Sequence, residues 1–154
     1  MLPARNYEPP FVRIARTGEM RAVTNLCVEA VKSGPYPNLV PDKDKIFNVV
    51  RECISGPAHF VHVVEDNGEL VGVIMAHVSP ILMYERDQAS VIQFYSREPR
   101  YEVKLMVAFL RWARSRRKIK SIIFVVEYGV DPRVPKLLKR VGLNEVLPVY
   151  METR

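Results

Sequence analysis

The sequence is short of the residues that most often mark a chemistry. Cys27 and Cys53 are its only cysteines, and neither lies in a C-x-x-C pair. Both fall on the apolar stripes of predicted helices, which reads as buried free thiols, not a disulfide, and as a cytoplasmic setting. His59, His62 and His77 lie on predicted strands, and no cysteine or carboxylate spacing completes a metal site, so no metal is expected. No serine stands in a G-x-S-x-G elbow, which leaves a Ser-His-Asp hydrolase without a nucleophile. The longest apolar runs, such as LVGVIMAHV, are strand-length, so neither a membrane span nor a membrane partner is expected. The first ten residues, MLPARNYEPP, carry no apolar signal core and read as an extended segment.

Glycine is missing where it would matter most. The stretch SREPRYEVKLMVAFLRWARSR, residues 96 to 116, reads as a strand end, a short turn and an amphipathic helix. A basic strand-to-helix turn suggests an anion site, because free amides and the helix dipole point at whatever sits there. Such sites usually need glycine, so that backbone can approach a phosphate closely. This turn has none, but it carries Arg97, Arg100 and Lys104.

What is present describes one globular domain spanning residues 1–154. The chain is 48% hydrophobic and 26% charged, which is enough apolar surface to build a core. Its net charge is +6, and residues 97 to 120 hold nine of the 23 Lys and Arg. The cluster RSRRKIK reads as a solvated helix end, where the dipole favours cations. It lacks interleaved aromatics, so nucleic acid is not expected as a partner.

Periodicity gives a regular alternation of elements. FVRIAR (11 to 16) is a strand, with Thr17 as N-cap of a helix whose inner face holds Met20, Val23, Cys27, Ala30 and Val31. The Pro-rich loop 33 to 41 follows, then a helix capped by Asp42 or Asp44 with Ile46, Val49, Val50, Cys53 and Ile54 inward. Two apolar runs flank EDNG, a hairpin signal, and the second runs through Met75 to a bend near Ser79-Pro80. A strand at 89 to 96 leads into the basic turn. The helix 101 to 115 has Leu105, Met106, Phe109, Trp112 and Ala113 as its stripe. SIIFVVE (121 to 127) reads as a central strand buried on both faces. A helix at 132 to 140 stops at Gly142, and EVLPVYME closes the chain as an edge strand that tolerates Pro148.

The order β-α-α-β-β-β-α-β-α-β defines an α/β fold, a mixed central sheet with helices on both faces. In order and segment lengths it resembles the GNAT superfamily of acetyl-CoA-dependent N-acetyltransferases from Phe11 to Met151. WARSRRKIKSIIFVV resembles the end of the family's cofactor helix and the next strand. DPRVPKLLKRVGLNEV resembles the N-x-x-A-x-x-L-Y-x-K-x-G-F helix, with Gly142-Leu143 for Gly-Phe.

The resemblance implies acetyl-CoA, or another acyl-CoA, as cosubstrate and an amine as acceptor, entering near the 33 to 41 loop. It lays the family's R/Q-x-x-G-x-G/A phosphate loop over Arg97, Arg100, Tyr101, Glu102, Val103 and Lys104, with its glycines near Arg100 and Glu102. Glu102 beside a phosphate at ~4 Å would cost on the order of 4 kcal/mol per charge pair at an effective dielectric near 20. Arg97, Arg100 and Lys104 are the side chains to offset it. The family's asparagine position falls on Asp131, and its thiolate-protonating tyrosine on Leu138. Tyr128 is the nearest substitute acid. The backbone of Tyr95 and Ser96 is where the resemblance puts the amide that polarises the acyl carbonyl. Two functions follow: an N-acetyltransferase, or a GNAT-fold binding or structural module without catalysis, of the kind that phages encode. A homodimer or an assembly partner is compatible with either.

Overall fold

The computed structural model describes residues 9–34, 36, 38–126, 132–146 and 152. The chain divides into two compact units, one ending at Phe124 and one beginning at Val125.

The first unit opens with β1 (Phe11–Ile14) and a short 3-10 turn at Thr17–Glu19, followed by α1 (Met20–Lys32) and α2 (Lys43–Ser55). The strands β2 (His59–Asp66), β3 (Glu69–Pro80) and β4 (Asp87–Ser96) come next, then α3 (Pro99–Ser115) and β5 (Ile119–Ile123). The sheet order is β1-β2-β3-β4-β5, antiparallel except for the parallel β4–β5 pair. Asn67 and Gly68 both take positive φ, 51° and 80°, in the β2–β3 turn, as the Asn-Gly signal requires. The Asp42 carboxylate accepts from the N–H groups of Asp44 and Lys45, both at 3.1 Å, and so caps α2.

The strand period of two sorts the core into two layers. Val61, Val63, Val73 and Met75 face α1 and α2, where they meet Val23, Leu26, Cys27, Val50 and Cys53. Both thiols are buried and unpaired, and burial pushes Cys27 up to about 12. The alternate residues face α3. The Phe60 and Phe109 rings lie 5.8 Å apart, and a Cβ on Gly72 would stand only 3.3 Å from Leu105 Cδ1. Glycine at 72 is therefore what lets α3 settle on β3.

Several expectations need correction. Thr17 lies inside the 3-10 turn, and Arg16 precedes it as the cap. Val31 and Val49 point outward, at 38% and 42% exposure, so each apolar stripe is narrower than its sequence pattern. Trp112 is half-buried, while Tyr101 and Leu110 join the buried face of α3. Among the described residues β5 is not buried on both faces. Ile119 is buried, but Lys120 and Ile123 are exposed, because β5 is the last strand of the described sheet. The expected closing strand falls mostly outside the described residues.

The second unit contains α4 (Arg133–Arg140), with Val134 and Leu138 buried. Gly142 takes φ 100° just past its end, and Leu143 N–H reaches the Leu138 carbonyl at 2.9 Å. That is the glycine-terminated cap the sequence signals. Among the described residues no helix is long and apolar enough to cross a membrane.

Candidate active site

Two features of β4 create the site. Opposite β3, Met75 pairs with Gln93 and Ala76 with Val91, so Ile92 is an extra residue and β4 bulges there. Opposite β5, the ladder runs from Asp87↔Ile119 to Ser90↔Ile123. Among the described residues it ends there, and β4 continues six residues further to Ser96. The rings of Phe94 and Phe124 meet edge to face at 5.1 Å across this divergence.

The pairing tells which amides the open edge presents. Arg97 N–H donates to the Val71 carbonyl at 2.9 Å, which makes 71 and 97 a hydrogen-bonded pair. Antiparallel pairs alternate, so Tyr95 (opposite Val73) and Gln93 (opposite Met75) also aim their backbone at β3. Phe94 and Ser96 then turn their N–H groups to the open edge. The two donors lie about 7 Å apart along the strand, so a carbonyl oxygen lying there would accept from one of them. Of Tyr95 and Ser96, Ser96 therefore turns its N–H to the open edge and Tyr95 turns its N–H to β3.

The side chains after β4 are spent on one another. Arg97 holds Glu29 of α1 at 2.8 and 3.1 Å and Glu69 of β3 at 2.7 Å. Tyr95 Oη donates to the same Glu29 carboxylate at 3.1 Å. Arg97 is the main cause that holds the Glu29 carboxyl below the ordinary carboxylate range. Burial first, and Glu29 second, push the Tyr95 phenol up. A carboxylate so stabilised is a poor base, and a phenol so placed is a poor acid. Arg100 pairs with Glu98 at 2.6 Å and lies 3.7 Å from Asp66. Tyr101 is buried, with its hydroxyl bonded to Asp66 and Arg100. Ser96 Oγ is tied into the turn through Glu98.

The remaining sequence candidates lie elsewhere. Val103 and Lys104 line a groove of about 720 Å³ between α3 and β1, and Lys104 Nζ donates to the Pro10 carbonyl at 2.9 Å. That groove contains none of Tyr95, Ser96 and Arg97. Tyr128 and Asp131 lie outside the described residues. Glu29, Asp66 and Glu69 are the members that sequence reasoning missed. No local pattern marks them, because they meet their arginines only through the fold. Among the described residues no group of His, Cys, Asp and Glu could hold a metal ion.

No family model matches the sequence, and curated proteins yield no match either. Solved structures do resemble it. A possible acetyltransferase from Clostridium difficile 630 superposes with a TM-score of 0.74 at 14% identity, covering 96% of this chain and 98% of that one. An aminoglycoside N-acetyltransferase in complex with CoA gives 0.70 at 12% identity, with 99% of each chain covered. This is the GNAT fold. A transcriptional regulator from Bacillus halodurans shares it as well, at 0.68 and 16% identity over 93% of this chain and all of that one.

Set against a GNAT cosubstrate, the two halves of the site differ. The open β4 edge fits a thioester carbonyl, since Phe94 and Ser96 offer N–H groups to it. The turn does not fit a pyrophosphate held by bare amides. Pro99 has no N–H, Tyr101 N–H already donates to the Glu98 carbonyl at 3.1 Å, and Arg97 and Arg100 face four carboxylates.

Proposed function

We propose that this chain is a GNAT-fold N-acyltransferase that moves an acyl group from acyl-CoA to an amine. The observation that supports it is the bulged β4 departing from β5 after Ser90, which leaves the Phe94 and Ser96 amides free to polarise a carbonyl. An acyl-CoA would supply the activated thioester carbon. The chain's own part is to hold the carbonyl against one of these amides and to orient the incoming amine. Gln93 is the polar side chain in mid-β4, and it cannot act as a base. With Glu29 clamped by Arg97, the amine has to arrive neutral. The pH profile of transfer should then follow the pKa of the acceptor itself. The two buried free thiols suit a cytoplasmic setting.

A backbone test isolates the amide. Ser96→Pro deletes an N–H that serves no β3 ladder bond, so the sheet should tolerate it. Transfer should fall by about 10²–10³-fold, relative to a Ser96→Ala control that keeps the amide. Unchanged transfer in Ser96→Pro would rule out this amide as the carbonyl's partner.

A second reading, a GNAT-fold module without catalysis, is favoured by the neutralised turn. Calorimetric titration of the full chain with acetyl-CoA and with CoA separates the two. Saturable binding of acetyl-CoA supports the enzyme. Absence of binding to either supports the module.

A further inference from the structure

The β3–β4 hairpin closes tightly. Ile81 N–H donates to the Arg86 carbonyl at 2.8 Å and Tyr84 N–H to the Ile81 carbonyl at 3.0 Å, while Met83 sits at φ 67°. Left-handed backbone at a non-glycine residue is uncommon and persists only where the surroundings enforce it. The result is a fixed tip that displays Leu82, Met83 and Tyr84 at 81%, 93% and 73% exposure. Three large apolar side chains on one convex turn have no role in the core.

Cations surround the base of this tip. Asp87 N–H donates to the Lys118 carbonyl at 3.0 Å, which sets the turn after α3 beside the hairpin. Among the described residues Arg117, Lys118 and Lys120 have no ion-pair or hydrogen-bond partner for their side chains, and the Arg86 guanidinium donates to the Glu85 carbonyl. Glu85 and Asp87 are the acidic residues beside them, and from Val103 to Val126 the sequence has no Asp or Glu at all.

We propose that this end of the molecule docks on an anionic lipid surface, with Leu82, Met83 and Tyr84 entering the headgroup layer and the cations lying against it. A polyanion such as nucleic acid would use the cations but has no use for a Leu-Met knob. A second copy of the chain would bring like charge against like. A protein partner needs about 800 Å² on each side, more than three side chains on a convex turn present. A bilayer needs no matching pocket: apolar insertion and charge act together, each insufficient alone. β4 runs from this end to Ser96, so the open edge faces away from the lipid. A surface contact of this kind needs no spanning helix, and the described residues contain none.

Flotation of the full chain with vesicles tests the proposal, using phosphatidylcholine alone and phosphatidylcholine with about a third phosphatidylglycerol. Binding is expected only to the second, falling as salt is raised. Leu82→Ser with Met83→Ser should weaken it about tenfold, and so should Arg117→Glu with Lys118→Glu, each with an unchanged melting temperature. No binding to either vesicle overturns the proposal. So does binding that ignores the Leu82 and Met83 change. If a single-stranded oligonucleotide binds and vesicles do not, the cations belong to nucleic acid. If Leu82 and Met83 instead control a dimer in solution, the tip belongs to a second copy.

Discussion

The two ends of α3 both carry cations and use them in opposite ways. Near Pro99 every arginine meets carboxylates: Arg97 takes Glu29 and Glu69, and Arg100 takes Glu98 and Asp66. Beyond Ser115, Arg117, Lys118 and Lys120 meet none among the described residues, and Arg116 lies over the Trp112 ring at 4.7 Å. A phosphate approaching the first end must displace internal partners. An anion approaching the second displaces no partner among the described residues. A count of basic residues misses this difference, which lies in their partners. Matched charge should matter to folding, and unmatched charge to association.

Arg13 is the most deeply set matched charge, so it should show the largest effect. It bridges Glu19 after β1 and Glu65 on β2, with side-chain exposures of 14%, 20% and 23%. Arg13→Ala leaves two half-buried carboxylates facing each other and should cost about 2–3 kcal/mol. In a chain of this size that lowers the melting temperature by about 5–10 °C. The pH dependence follows from the same pair. Arg13 is the chief cause that holds the Glu19 carboxyl below its ordinary value. A depressed carboxylate stabilises fully above its unfolded pKa, and that stability is lost as pH falls through the folded value. Arg13→Ala should therefore flatten the acid side of the stability curve and leave neutral pH to alkaline unchanged in shape.

Glu102→Gly probes the turn itself. Glycine in the first turn of α3 should cost about 1 kcal/mol of stability. If the turn takes a pyrophosphate, the same change removes a repulsive charge and tightens acetyl-CoA binding. A lower melting temperature with no gain in affinity would place the phosphates away from the turn.

Arg97→Ala comes next. Its partners Glu29 and Glu69 are 38% and 70% exposed, so solvent screens both pairs and the loss should be about 0.5–1 kcal/mol. Glu29 should then titrate nearer its ordinary value, which NMR titration of its carboxyl would register. A Glu29 titration that stays put would mean that Tyr95 and Lys32 depress it without Arg97.

Much of this architecture is legible along the chain because its signals are local. Asn67-Gly68 sets the hairpin, Asp42 caps α2, Gly142 ends α4, and Leu105, Met106 and Phe109 recur at helical spacing. The site is not local, and so most of it was hidden. Glu29 lies 68 residues from Arg97, and Asp66 lies 35 from Tyr101. The bulge at Ile92 sits inside an unbroken run of strand residues with no glycine or proline to mark it. Which amide faces the open edge depends on that bulge and on the pairing with β3. Along the chain Tyr95 and Ser96 look equivalent, and the pairing with β3 is what gives their N–H groups opposite directions. The exposed tip carries no local mark either, since ILMY looks like core until the hairpin turns it outward.

The smallest expected effect completes the contrast. Arg117→Ala with Lys118→Ala removes two cations that have no partner among the described residues, so no contact with those residues is lost. Like charges at Arg116, Lys120 and Arg86 remain nearby, and removing two of five relieves some repulsion. Stability should therefore change by less than about 0.5 kcal/mol, and towards the stable side. Salt should raise the melting temperature of the unaltered chain more than that of the variant, because screening does for the first what the substitutions do for the second. Melting curves at low and high salt measure both. A loss of stability comparable to Arg97→Ala would mean that this end, too, has its charges matched.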